Sequence, residues 1–290
     1  MTKTDREYAR ALSRVVMDGE HRPDRTGTGA TEVFGLTMEF NLALEFPILS
    51  GKRVSFRNVA KELLWFIHGG HEGLWGDYSL RREDLGCKIW DEWESPTAEY
   101  PGDMGPIYGA QWRHWGGDEV DHDQLASVIS GIKADPYSRR HIIATWNPTD
   151  IPDMALPPCH GLVIQFYVHE SGRLDLQMYQ RSGDMFLGVP YNITSYALLL
   201  EMVAKVTGLR AGKLRLVIGC AHIYDNHKFQ VREYLSRVGK MESGPIYYGS
   251  NCTPVSILVA YHRSIDSFQL DDFELMGYNP LPAIKAPVAV

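Results

Sequence analysis

Cys159 stands in the run Leu156-Pro157-Pro158-Cys159-His160-Gly161. A lone cysteine is most often a small buried hydrophobe. Here two prolines stiffen the turn before it and an apolar run follows, a setting that holds a nucleophile rigidly. The reactive form of a cysteine is the thiolate, which needs cations nearby. Arg181 in QRSGD and the pair Arg139–Arg140 in SRR are the candidates. Arginine forks also match phosphate oxygens two at a time, and Arg25 in the glycine-containing run DRTGTG adds a fourth. That run lacks the lysine and spacing of a P-loop.

Glu62 lies in the apolar run KELLWFIH. If it points inward, burial raises its pKa toward neutrality and makes it a proton carrier; if it points outward beside Lys61, it is a surface charge. Asn192 in GVPYNITSY is either a helix N-cap or an amide offering a donor and an acceptor to a base edge. The 11 histidines form no HExxH and no zinc-like spacing with cysteine, so no metal is expected.

Positioning such groups requires a framework. Residues 5–18 read as an amphipathic helix with Tyr8, Leu12, Val15 and Val16 inward, and 58–68 as a more buried helix. Residues 123–134 read as a surface helix burying Leu125, Val128, Ile129 and Ile132. HIIATW (141–146) reads as a strand, and 161–168 with 174–181 as a hairpin around HESGR. An apolar helix over 193–207 ends at Gly208. A strand over 214–219, a helix over 221–235 and a late strand over 256–261 follow. The segment 69–122 is weakly periodic and reads as irregular and functional. The mixture predicts an α+β class.

The chain has 290 residues, and its 44% hydrophobic and 22% charged content is that of a globular protein able to build a core without disulfides. A net charge of −7 argues against a dedicated nucleic-acid binder. Cys87, Cys159, Cys220 and Cys252 form no CxxC, which fits a reduced, cytoplasmic setting. The charged N-terminal run is no signal peptide, and no apolar run reaches the ~20 residues of a membrane span. The absence of repeats and linkers points to one continuous domain over 1–290.

Collinear over nearly the whole chain, DRTGTG (24–29), GKR (51–53), ELLWFIHG (62–69), IWDEW (89–93), GDMGPIYGAQWR (102–113), SRR (138–140), MALPPCH (154–160), QMYQRSGDMFLGVPYNITSYALL (177–199), HIYDNH (222–227) and IKAPVAV (284–290) resemble the thymidylate synthase family. The resemblance implies a mixed sheet packed with helices, dimerising through the sheet. It implies reductive methylation of dUMP by methylenetetrahydrofolate, with Cys159 attacking C6. By the same resemblance Arg25, Arg181 and Ser182 hold the nucleotide phosphate, with Arg139 and Arg140 donated across a homodimer interface. Asn192 reads the pyrimidine, and His222 and Tyr224 hold the sugar. Glu62, Tyr108 and His160 move protons. Trp90, Trp93, Asp184, Leu187, Gly188 and Val288 contact the folate, with Tyr191 beside it.

Several positions depart from the family's usual pattern: Ser55, Gly70, Tyr191, Cys220 and Leu281. They raise an alternative in which water replaces hydride at the last step, giving a hydroxymethylated nucleotide. Asn192 suits uracil, whereas an aspartate there would suit cytosine, so dUMP is preferred over dCMP. A catalytically idle relative or an RNA binder is the alternative of a different class, and the acidic charge argues against RNA.

Overall fold

Three long strands carry the architecture. In the computed structural model, which describes residues 1–24, 27–69, 85–88, 90–91, 93–98, 102–116, 121–243 and 254–288, these strands are β2 (Ala30–Asn41), β5 (Arg173–Asp184) and β6 (Arg210–Tyr224). With β1 (Glu20–Arg22), β3 (Ile142–Ala144) and β4 (Val163–Val168) they form a six-stranded sheet in the order β1-β2-β6-β5-β4-β3. β5 and β6 run parallel, and every other neighbouring pair is antiparallel. The parallel pair requires a crossover, supplied by helix α5 (Gly188–Thr207). A separate two-stranded ribbon pairs β7 (Ser256–Val259) with β8 (Phe273–Met276).

The alternation of the strands decides which face is covered. Ile164, Phe166 and Val168 of β4, and Leu174, Leu176 and Met178 of β5, are buried. The residues between them, Val163, Tyr167 and Tyr179, stay exposed, as period-2 strands require when one face is packed. Helices α1 (Lys3–Asp18) and α5 pack on the sheet, and α2 (Phe56–Ile67) packs on α5. Two further helices, α3 (Tyr108–Arg113) and α4 (Gln124–Ala134), lie near β3, and α6 (Lys228–Ser243) packs on α1. Among the described residues no helix is long and apolar enough to cross a membrane.

The α+β expectation and the hairpin hold, with Val168 opposite Leu174. The inward stripe of α4 is as expected. Gly208 ends α5 at φ 72°, a left-handed cap that glycine adopts without steric cost. The segment 69–122, expected to be irregular, holds α3, and β7 ends two residues short of the expected 261; four further expectations need correction. Val16 is exposed rather than inward, because it sits about 80° around the helix from Tyr8 while Leu12 and Val15 stay close to its line. Residues 221–224 are not helical: β6 runs through Tyr224, paired with β2 over all four residues and with β5 through His222, and α6 begins only at Lys228. Residues 145 and 146 lie beyond β3, which is three residues long. α5 starts at Gly188, so Asn192 is inside the helix and is not its N-cap.

Candidate active site

The site lies where the 155–162 loop meets β5, α3 and α5. Main-chain N–H groups of Arg181 (2.8 Å) and Ser182 (3.4 Å) both donate to the Cys159 carbonyl, which fixes the loop to β5. The next residues are fixed as firmly. The Thr145 hydroxyl donates to the Gly161 carbonyl at 2.6 Å, and Leu162 N–H donates to the Tyr179 carbonyl at 3.0 Å. Gly161 has φ 65°, and a Cβ there would lie 2.2 Å from the Tyr196 hydroxyl, so no larger residue fits.

Tyr108 organises the cysteine. Its hydroxyl accepts the Cys159 main-chain N–H at 3.0 Å and lies 3.4 Å from Sγ. The ring stacks on Phe66 (centroids 4.9 Å apart) and on His160 (4.5 Å), which are themselves 6.3 Å apart, so the three rings form one cluster. His160 in turn pairs Nδ1 with the Tyr196 hydroxyl at 2.8 Å. Burial pulls the His160 pKa down to about 3, so the ring is neutral at physiological pH. Burial also pushes the Tyr108 and Tyr196 hydroxyls well above their ordinary range, so both keep their protons.

Burial raises the Cys159 thiol pKa, while the Tyr108 hydroxyl and the Arg181 charge pull the other way. Among the described residues, Arg181 is the candidate arginine at the thiol. Its guanidinium donates to the Pro158 and Pro157 carbonyls at 3.3 and 3.5 Å and lies over the Trp146 ring. Arg139 and Arg140 precede β3, whereas Cys159 is at the opposite end of that strand, because Ala144 pairs with Val163. They are exposed and not gathered at the thiol of their own chain. Arg25 lies outside the described residues.

Glu62 points inward from α2 and is 7% exposed. Burial raises its pKa to about 7, partly opposed by a hydrogen bond from Trp90 Nε1 to Oε1 at 2.9 Å. Trp90, itself buried, also approaches Phe66 and Tyr108. The carboxyl, the indole and the phenol are thus adjoining parts of one wall.

On the β5–β6 side, the Gln180 amide donates to Asn192 Oδ1 at 3.1 Å and to the Ser182 carbonyl at 3.0 Å. Asn192 is buried, and its oxygen is committed to Gln180, which fixes the orientation of its amide. Ser182 Oγ lies 3.5 Å from His222 Nδ1, and that nitrogen donates to the Cys220 carbonyl at 3.2 Å. Tyr224 presents its ring to His222 edge-to-face at 4.9 Å.

Asp184 ends β5 and accepts from the N–H groups of Phe186 (2.8 Å) and Leu187 (3.2 Å) at the start of α5. Burial opposes ionisation, but His227 and these N–H groups outweigh it and hold the carboxyl below its usual range. Leu187, Gly188 and Tyr191 follow along the first turn of α5, with Tyr191 half-buried. Trp93 is half-buried, its N–H on the Trp90 carbonyl at 3.1 Å, and Val288 is exposed. Ser55 caps α2, its hydroxyl accepting from Asn58 N–H, and Leu281 N–H donates to the Ser50 carbonyl at 2.8 Å. Gly70 and Cys252 are outside the described residues.

Several contributing residues escaped the sequence reading: Gln180, Tyr196, Lys52 and His227. Tyr196 is one helical turn beyond Asn192, and an i, i+4 pair on one face was the available signal. Lys52 is buried with its ammonium on the Phe186 carbonyl and over the Phe186 ring at 3.8 Å. Burial lowers its pKa to about 8. Nothing in the residue pattern distinguishes such a lysine from a surface one.

The arrangement offers a rigid thiol, a protonated phenol beside it, a carboxyl that exchanges protons near neutrality, and an oriented amide. A sequence model of one family, described as Thymidylate synthase, matches residues 6–290.

Proposed function

The chain belongs to the thymidylate synthase family, a family of folate-dependent one-carbon transferases acting at C5 of dUMP, and from that premise we propose that it methylates dUMP to dTMP through a covalent adduct on Cys159. The observation that carries this reading is the hold of one phenol, Tyr108, on both the main chain and the thiol of Cys159. In our reading dUMP binds with its phosphate on Arg181, Ser182 and Arg25, joined by Arg139 and Arg140 of a second subunit. The uracil edge meets Asn192, whose amide is oriented by Gln180. The sugar hydroxyl meets His222 and Tyr224.

Carbon 5 of uracil is a weak nucleophile. Addition of the Cys159 sulfur to C6 pushes the C5–C6 electron pair toward C5 and O4, which makes C5 nucleophilic. Methylenetetrahydrofolate, as co-substrate, supplies the one-carbon unit and, in methylation, the hydride. Glu62 sits close to the point of half-protonation at neutral pH, the condition for an efficient proton carrier. Tyr108 keeps its own proton and acts as a hydrogen-bond donor beside the thiol, the proton that leaves C5 passes to Glu62, and neutral His160 fixes Tyr108 by stacking. Final departure of the Cys159 sulfur from C6 restores the thiolate, which Arg181 favours.

The residues available fit a folate. Trp90, Trp93, Leu187 and Tyr191 offer flat and apolar surface, Gly188 leaves room, and the ionised Asp184 offers an acceptor to ring N–H groups. Val288 supplies a further wall. Dimerisation through the sheet is supported by its uncovered face, where Phe34 is 81% exposed along with Tyr167, Val163, Tyr179 and Ile142; so much exposed apolar surface marks an interaction face. Such an enzyme would act in the cytoplasm. Trp90, buried and hydrogen-bonded at Glu62, favours hydride over water at the last step, because it excludes solvent.

The test is Cys159→Ala. Turnover should vanish while dUMP binding, measured by calorimetry, survives; substantial remaining turnover would exclude the covalent route.

A further inference from the structure

His227 is 0% exposed and lies between two groups that only accept hydrogen bonds. Its Nε2 is 2.7 Å from the Pro287 carbonyl, in the segment 284–288. Its Nδ1 is 3.6 Å from Asp184 Oδ1 and has no hydrogen-bond partner. A neutral imidazole has one donor and one lone pair. With the proton on Nε2, the Nδ1 lone pair faces a carboxylate. With the proton on Nδ1, the Nε2 lone pair faces a carbonyl at 2.7 Å. Either neutral form leaves one acceptor–acceptor contact inside the protein, where water cannot relieve it. Only a ring protonated on both nitrogens makes both contacts attractive, a hydrogen bond to the Pro287 carbonyl and an ion pair with Asp184 at 3.6 Å.

We propose that His227 is held as an imidazolium that clamps the 284–288 segment to Asp184, so that the docking of this segment is a pH-dependent equilibrium governed by one buried ring.

The surroundings decide the direction. Burial alone would push the His227 pKa down, but Asp184 and the Pro287 carbonyl outweigh it, and the net shift is upward. Lys52, from the segment before α2, opposes the charge. From the end of β6, Tyr224 turns its ring edge-on at 5.6 Å, and Phe186 is 5.7 Å away. A group with a raised folded value holds its contribution below its ordinary 6.5 and loses it as pH rises through that raised value. The clamp is therefore closed in mild acid and loosens in alkali. Asp184 and Val288 both belong to the proposed folate wall, so His227 is a positioning residue for that wall; this consequence alone rests on the proposed function.

The experiment needs no substrate, so its failure is separate from failure of the proposed function. Imidazole ¹⁵N spectra of the intact protein, with His227 assigned by substitution, report the protonation of each nitrogen. Tryptic cleavage after Lys285, an exposed residue of the segment, reports undocking. The cleavage rate is corrected for trypsin's own pH dependence with a reference peptide. We expect both nitrogens protonated in mild acid, and cleavage of the native protein that accelerates as His227 loses a proton. His227→Gln retains a donor toward Pro287 and should stay protected at all pH values. His227→Asn retains only the donor toward Asp184 and should be cleaved about tenfold faster in mild acid, as loss of one charge-assisted hydrogen bond implies. A singly protonated ring in mild acid, or cleavage that neither pH nor the Asn variant alters, would overturn the proposal.

Discussion

Replacing Glu62 by Gln removes a titrating group while keeping an oxygen to accept the Trp90 indole N–H. Burial moves the Glu62 carboxyl from an ordinary 4.5 to about 7, an interval worth about 3 kcal/mol of preference for the neutral form. Between those two values the folded protein holds a proton that the unfolded chain has released. Stability therefore falls as pH rises through the window and levels off above it. The Gln variant has no such proton. Its stability relative to the native protein should rise by up to about 3 kcal/mol between about pH 4.5 and about pH 8. Urea unfolding of both proteins across this range measures the difference. Glu201, also raised to about 7 by burial, is present in both proteins and cancels. Parallel pH–stability curves would mean that Glu62 titrates as an exposed carboxylate and would refute the reasoning. In the same variant kcat should fall about 100- to 10,000-fold, the usual contribution of a general acid–base, with less effect on nucleotide KM.

Asn192→Asp exchanges an amide for a carboxylate at the proposed base edge and should shift the kcat/KM ratio from dUMP toward dCMP; an unchanged ratio would remove Asn192 from base recognition. Subunits carrying Cys159→Ala can be mixed with subunits carrying Arg140→Ala. If Arg140 serves the other subunit, each hybrid regains one complete site, and random exchange should restore about a quarter of native activity. No recovery from two inactive parents would place Arg140 at its own subunit's site, and an Arg140→Ala parent as active as the native protein would remove Arg140 from catalysis.

The elements legible in the sequence were those whose pattern is set by one packed face. The 124–134 helix shows its stripe plainly, and the 163–184 hairpin is bounded by a turn. What local pattern could not supply was the reach of β6, whose residues 220–224 are strand because β2 pairs with all of them and β5 with 220–222. The sequence marked Cys159, Glu62 and Asn192, whose types and settings were unusual. It also ranked Arg139 and Arg140 as candidate cations for the thiol, and only the β3–β4 register separates them from it. Gln180, Tyr196 and His227 act by orienting other side chains. Their roles are properties of distance and angle, and no residue type or spacing announces them.

The most direct test is to incubate the purified protein with dUMP and methylenetetrahydrofolate, following dihydrofolate absorbance and the nucleotide's mass together. Dihydrofolate formed in step with a nucleotide heavier by one methylene unit is the predicted result. A nucleotide carrying an added hydroxymethyl group, with no dihydrofolate, would contradict methylation and direct attention to Cys220 and Tyr191 as the entry for water.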